Sequence, residues 1–121
     1  MSGLKSYNRG KMGEDIACRH LKSTGHEIIA RNFRAEGGEI DIISLCEDTV
    51  FFSEVKTRKS GSMIPIEESI TADKRVRIER AAKFFLGKNF DDDTNVKFLF
   101  IFLVLENNGA VKKIDILCDF L

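Results

Sequence analysis

Four charged side chains cluster around one short turn. Glu39 and Asp41 precede the dipeptide Glu47-Asp48, and Glu54 and Lys56 follow it. Between them the chain alternates, with Ile40, Ile42 and Leu45 apolar, and β character resumes from Val50 to Val55. This spacing predicts a β-hairpin. If its turn is centred between Glu47 and Asp48, opposed residues have numbers that sum to 95, so Asp41 lies across from Glu54 and Glu39 across from Lys56. Directly opposed side chains share a face, and alternation puts Glu39 with Asp41 and Glu54 with Lys56. Two opposed carboxylates, with Cβ atoms roughly 5 Å apart, destabilise a sheet unless a cation or a proton lies between them.

Two kinds of cation satisfy that condition. Lys56 itself would make a cross-strand salt-bridge network on a solvated face, of small net effect. A hard divalent ion such as Mg²⁺ or Mn²⁺ would take Asp41, Glu54 and a backbone carbonyl, for which Val55 is placed, and keep several waters. Lys56 beside it would then orient an attacking water or stabilise charge growing on a phosphorus centre. Both readings need the register, which an odd loop length would break, and Glu-Asp is not a favoured two-residue turn.

The elements that must position these groups are readable in outline. Residues from Lys11 to about Thr24 carry Met12, Ile16, Ala17, His20 and Leu21 at helical spacing, with Gly25 as a stop, after a polar lead-in over about 1–9. A strand over His26 to Phe33 and a loop holding Gly37 and Gly38 lead into the hairpin, Glu39 to Leu45 and Val50 to Val55. Thr57 to Ser69, which includes the only proline, Pro65, reads as a surface loop. Thr71 is a helix N-cap with Asp73 in the first turn, and the helix ends near Leu86 at Gly87, with Ile78, Ala81, Ala82, Phe85 and Leu86 on its apolar face. Phe84 and Phe85 are expected in the core. Lys74 falls in the same sector as Ile78, Ala81 and Phe85, so it either snorkels to water or points into a cleft. After Asp91-Asp92-Asp93, Val96 to Leu105 reads as a strand covered on both faces, Asn107-Asn108-Gly109 as a turn and Val111 to Leu117 as a last strand. The order αβββαββ implies an α/β fold, a mixed sheet of about five strands flanked by helices in a single domain.

Asp41 followed by Glu54-Val55-Lys56 resembles the PD-(D/E)xK signature of restriction-endonuclease-like nucleases. The longer set Gly10-Lys11-Met12-Gly13-Glu14-Asp15-Ile16-Ala17, Arg31-Asn32-Phe33-Arg34, Gly38 to Ile43, Phe52 to Arg58, Lys74, Ala81-Ala82 and Phe85-Leu86 resembles the YraN-like family. That family is described as predicted endonucleases distantly related to archaeal Holliday junction resolvases. The resemblance implies a restriction-endonuclease-like fold and a Mg²⁺- or Mn²⁺-dependent endonuclease acting on DNA, with branched DNA and a homodimer as the corresponding expectations. It also implies Asp41 and Glu54 as metal ligands, Lys56 as the catalytic lysine and Glu14 as an additional acidic group, where spacing alone leaves Glu14 as a solvent-facing helix residue. Glu39 is a supporting acid expected to pair with Lys56 or Arg58. Arg58, Lys59, Lys74 and Arg77 are the candidate nucleic-acid contacts. Where the family shows Arg-Phe-Asp this chain has Lys97-Phe98-Leu99, and Ser53 stands where an apolar residue is usual. The alternative is a non-catalytic nucleic-acid-binding module on the same fold.

Composition sets limits on both. The 121 residues are 43% hydrophobic, with 19 Lys plus Arg against 19 Asp plus Glu, which excludes disordered, collagen-like and disulfide-scaffold classes. Cys18, Cys46 and Cys118 lack metal-ligand spacing and suit reduced thiols. The polar N-terminus and the short longest apolar run, Phe98 to Leu105, predict no secretory signal, no membrane span and a cytoplasmic protein. The zero net charge is a cancellation: about −2 over residues 1–55, +5 over 56–88 and −3 over 89–121. This pattern excludes coating of nucleic acid by bulk charge and predicts a local basic surface beside an acidic pocket.

Overall fold

The computed structural model describes residues 6–62, 71–91 and 93–119. In chain order the elements are α1 (Ser6–Ser23), β1 (Glu27–Ala35), β2 (Gly38–Cys46), β3 (Thr49–Lys59), α2 (Ala72–Asn89), β4 (Asn95–Leu105) and β5 (Val111–Cys118). The strands form one sheet in the order β1-β2-β3-β4-β5, in which only β3 and β4 run parallel. This is the expected αβββαββ α/β architecture. No helix among the described residues is long and apolar enough to cross a membrane, and the three cysteines are free thiols.

The two faces of the sheet carry separate cores. Ala17, Cys18 and Leu21 of α1 pack with Ile42, Leu99, Ile101 and Leu103. Ile78, Ala81, Ala82 and Phe85 of α2 pack with Ile40, Ile43, Val50 and Phe52. Both helices approach the sheet over glycine. A Cβ on Gly13 would meet the Thr57 hydroxyl, and one on Gly38 would lie 2.0 Å from the Arg77 carbonyl oxygen. These contacts bring α1 down onto β3 and α2 onto the start of β2, on either side of the hairpin that carries the acids.

Several boundaries differ from the sequence reading. α1 begins at Ser6, inside the expected polar lead-in, and β1 continues to Ala35 through a two-residue turn at Glu36-Gly37. Thr57, Arg58 and Lys59 belong to β3 and not to a loop, because the parallel ladder to β4 continues unbroken from Thr49↔Asn95 to Lys59↔Leu105. Pairing partners distant in sequence thus override a polar, turn-like local composition. Of that expected loop, Ser60, Gly61 and Ser62 follow the strand as a turn, and 63–69 with Pro65 lie outside the described residues, as does Asp92. Thr71 caps α2 as expected, its hydroxyl accepting from Lys74 N–H at 3.1 Å. Gly87, however, stays helical and α2 runs on to Asn89. Phe84 is exposed, under the Lys88 ammonium and beside Phe33, whereas Phe85 is in the core.

Candidate metal centre

The hairpin has the register that places the acids together. Cys46 pairs with Thr49 around the two-residue turn, and the ladder proceeds to Ile42↔Ser53. The unfavoured Glu-Asp turn is accommodated by Glu47 in the left-handed region at φ 54°. Beyond Ile42↔Ser53 the backbone ladder stops, and a side chain takes its place: the Val55 N–H donates to Asp41 Oδ2 at 2.7 Å.

The reason lies in β2. Ile40 packs on the α2 side of the sheet and Ile42 on the α1 side, although regular alternation would put residues two apart on one face. The strand therefore changes face at Asp41. On β1, where Arg31 pairs with Ile42 and Phe33 with Ile40, the intervening Asn32 has φ 52°. Asparagine tolerates this left-handed conformation better than most residues. The paired reversal opens β2 away from β3 and directs the Asp41 carboxyl into the gap.

Asp41 is 6% exposed. Burial, a hydrogen bond shared with the Glu54 carboxyl and the charge of Glu54 push its acid group up to about 9, against the Val55 N–H, which favours the ionised form. The Lys74 ammonium of α2 reaches Glu54 Oε2 at 3.5 Å. Lys56 is half-buried, and burial together with the nearby Arg58 and Lys74 charges lowers its ammonium pKa, while Glu54 and Asp41 draw it back up. Glu14 of α1 faces the same acids: burial and then the Asp41 charge raise its pKa, and Arg31, at 3.7 Å, and a hydrogen bond with Asn32 oppose this. Glu14 is thus a site-facing residue and not a solvated one.

The sequence-predicted residues meet here with one correction. Asp41 and Glu54 meet, and Lys74 points into the cleft onto Glu54; Lys56 and Glu14 are near enough for their charges to act on the pair, but Glu14 does not join it as a third converging acid. Glu39 does not reach Lys56 or Arg58; it is ion-paired to Arg34, its cross-strand partner on β1. The expectation assumed unbroken alternation, which the reversal at Asp41 cancels. Arg77 lines the cleft while bonded to Asp73 at 3.2 Å. Residues that spacing did not single out for the site are Arg31, Asn32 and Arg34. Their only signal was membership of the Arg31-Asn32-Phe33-Arg34 string.

The acid pair sits between two open clefts. One, of about 660 Å³, is lined by Arg34, Glu39, Glu54, Lys74 and Arg77. The other, of about 410 Å³, is lined by Arg9, Glu14, Val55, Lys56, Arg58 and Lys59. All four candidate nucleic-acid contacts therefore flank the acids, two on each side. Ser53 and Leu99 stand opposite each other in the β3–β4 ladder, and both are buried.

The donor set suits a hard cation. It offers two contacting carboxylates, and the Val55 carbonyl shares the strand edge of the Val55 N–H that meets Asp41. Among the described residues no three His, Cys, Asp or Glu side chains converge on one point. A set of this kind could hold Mg²⁺, which is commonly bound by one or two carboxylates with water and substrate phosphate completing the shell.

A mixed α/β sheet that opens around a buried acid pair with adjacent lysines defines the class of protein. Within that class, the chain belongs to the uncharacterised protein family UPF0102, the YraN-like family, whose model matches residues 13–118. A UPF0102 protein from Parafrankia sp. is 36% identical over 107 residues, 88% of this chain and 91% of that one. Another, from Syntrophus aciditrophicus, is 34% identical over 115 residues, covering 95% of this chain and 89% of its own length. A third, from Clostridium perfringens, is 42% identical over 85 residues, 69% of this chain and 70% of that one.

Proposed function

We propose that the protein is a divalent-metal-dependent endonuclease of the restriction-endonuclease-like class that hydrolyses phosphodiester bonds in DNA. The observation that carries this reading is the buried Asp41–Glu54 pair with Lys56 and Lys74 beside it, at the meeting of two basic clefts. Asp41, Glu54 and the Val55 carbonyl would hold Mg²⁺ or Mn²⁺. A cation bound there supplies charge neutralisation at the scissile phosphate and activation of water. Lys56, already partly desolvated, needs no solvent reorganisation to stabilise charge developing on the phosphoryl oxygens. Lys74 and Arg77 on one side, and Arg58 and Lys59 on the other, grip phosphates flanking the reacting one. Among the described residues both clefts are open, which suits a backbone that enters laterally. Branched DNA, the substrate that the sequence resemblance implies, is the first to try.

The test is cleavage of duplex, single-stranded and four-way-junction DNA with Mg²⁺, with Mn²⁺ and with chelator. Cleavage should need metal and fall at least about 100-fold in Asp41→Ala and in Lys56→Ala. Activity that survives both substitutions would refute the assignment. The absence of a third converging acidic side chain among the described residues favours a second reading, a non-catalytic DNA-binding module. That reading requires junction binding that is salt-sensitive, indifferent to metal and unchanged in Asp41→Ala.

A further inference from the structure

β5 is one of the two edges of the sheet, β1 being the other: among the described residues β4 pairs with one side of it and no strand with the other. Its residues are exposed on both faces, Ile114 alone being half-buried. Of the six large apolar side chains exposed among the described residues, Val111, Ile116 and Leu117 lie on this one strand, at 46%, 40% and 42%. Ile114 packs against the α1-side core, so Ile114 and Ile116 share that face, and Lys113, Asp115 and Leu117 share the other. Lys113 and Asp115 already lie 3.3 Å apart.

An exposed edge of this kind accepts another strand. For a second copy in antiparallel orientation, two-fold symmetry puts one residue opposite its own equivalent. Centring on Lys113 opposes two ammonium groups, and centring on Asp115 opposes two carboxylates, each unfavourable. Centring on Ile114 opposes Ile114 to itself, Lys113 of each copy to Asp115 of the other, Val111 to Leu117, and Lys112 to Ile116. Among these three central registers it is the one that avoids like charges: one face gains two Lys113–Asp115 pairs and two Val111–Leu117 pairs, and the other gains the Ile114 pair flanked by Ile116 against the Lys112 stem.

We propose that β5 is a self-association edge, joining two copies antiparallel about Ile114 into one continuous ten-stranded sheet. This surface lies across β4 from the strand that carries Glu54 and Lys56, and the proposal stands whether or not the protein cleaves DNA. The interface is one strand wide, so association is weak and concentration-dependent.

Sedimentation velocity on the full chain between about 1 µM and about 1 mM should show monomer passing to dimer. Lys113→Asp sets Asp against Asp115, and Asp115→Lys sets Lys against Lys113, so each variant alone should stay monomeric. An equimolar mixture of the two pairs opposite charges at every contact and should dimerise again, an outcome that loss of folding in either variant cannot produce. In a Cys118→Ser background, Ile114→Cys should cross-link under oxidation, since directly opposed strand residues meet disulfide geometry. A wild type that is monomeric throughout, with β5 lysines merely guarding the edge, would overturn the proposal. So would a mixture that stays monomeric, dimers unaffected by either single substitution, or failure of the Ile114→Cys cross-link.

Discussion

Asp41→Asn isolates what the fold gives up to hold an acid where it does. The side chain is 6% exposed, hydrogen-bonded to Glu54 and to the Val55 N–H, and its ionisation is pushed from an ordinary 3.8 up to about 9. Because the folded value is the higher one, the folded state binds more protons between the two, and stability that is complete below 3.8 is lost as pH rises toward 9. At neutral pH the folded site keeps a proton that the unfolded chain has released. Over roughly three pH units at about 1.4 kcal/mol each, that difference amounts to about 4 kcal/mol at most. Asparagine can still accept from Val55 N–H and donate to Glu54, with no charge to bury. In chelator at about pH 7 the variant should therefore be more stable than wild type, by at least about 1 kcal/mol and about 5 °C in Tm. The gap should close as pH falls toward 4, where both side chains are neutral. Adding Mn²⁺ should raise the Tm of wild type alone, because binding to the native state displaces the shared proton. Thermal and guanidinium unfolding at three pH values, with and without metal, reads all of this. An asparagine variant less stable than wild type at neutral pH, or a gap that does not change with pH, would refute the reasoning.

Other substitutions test separate parts of the site and scaffold. Lys74→Met removes the ammonium 3.5 Å from Glu54; calorimetry should show Mn²⁺ binding tightened by about threefold to tenfold, with weaker DNA binding, since one positive charge no longer competes for the carboxylate. Gly38→Ala places a methyl 2.0 Å from the Arg77 carbonyl, and unfolding should show a loss of about 2 kcal/mol or more as α2 is forced off the hairpin. Burial, followed by the charge of His20, holds His26 below its ordinary 6.5 while its ring bonds to Ser44 Oγ at 2.9 Å and packs on Phe51. A base depressed in the folded state binds protons preferentially when unfolded, so stability should fall as pH drops below about 6.5, and His26→Gln should flatten that limb of the stability profile.

Much of the site was readable before any coordinates. The β character on either side of Glu47-Asp48 made the hairpin legible, and a turn centred on that dipeptide gives the observed register, because turn position is a local property. Local too are the Thr71 cap and the turn over Asn107-Asn108-Gly109. Together with the run of apolar residues in β4 they were sufficient for the order αβββαββ. The same locality is why Asp41 and Glu54 could be paired on paper.

Tertiary structure decided the remainder. The change of face at Asp41 depends on Asn32, a left-handed residue in a neighbouring strand, and no period within β2 announces it. That change sends Glu39 to Arg34 and buries Asp41 against Glu54. Lys74 meets Glu54 because Gly38 lets α2 sit directly on the hairpin, a distance set by packing between elements. The sequence, taken alone, carries the types of the reactive groups and their order along each strand. Their protonation, their partners and the basic walls around them arise from contacts between segments far apart in the chain, where burial and neighbouring charge act together.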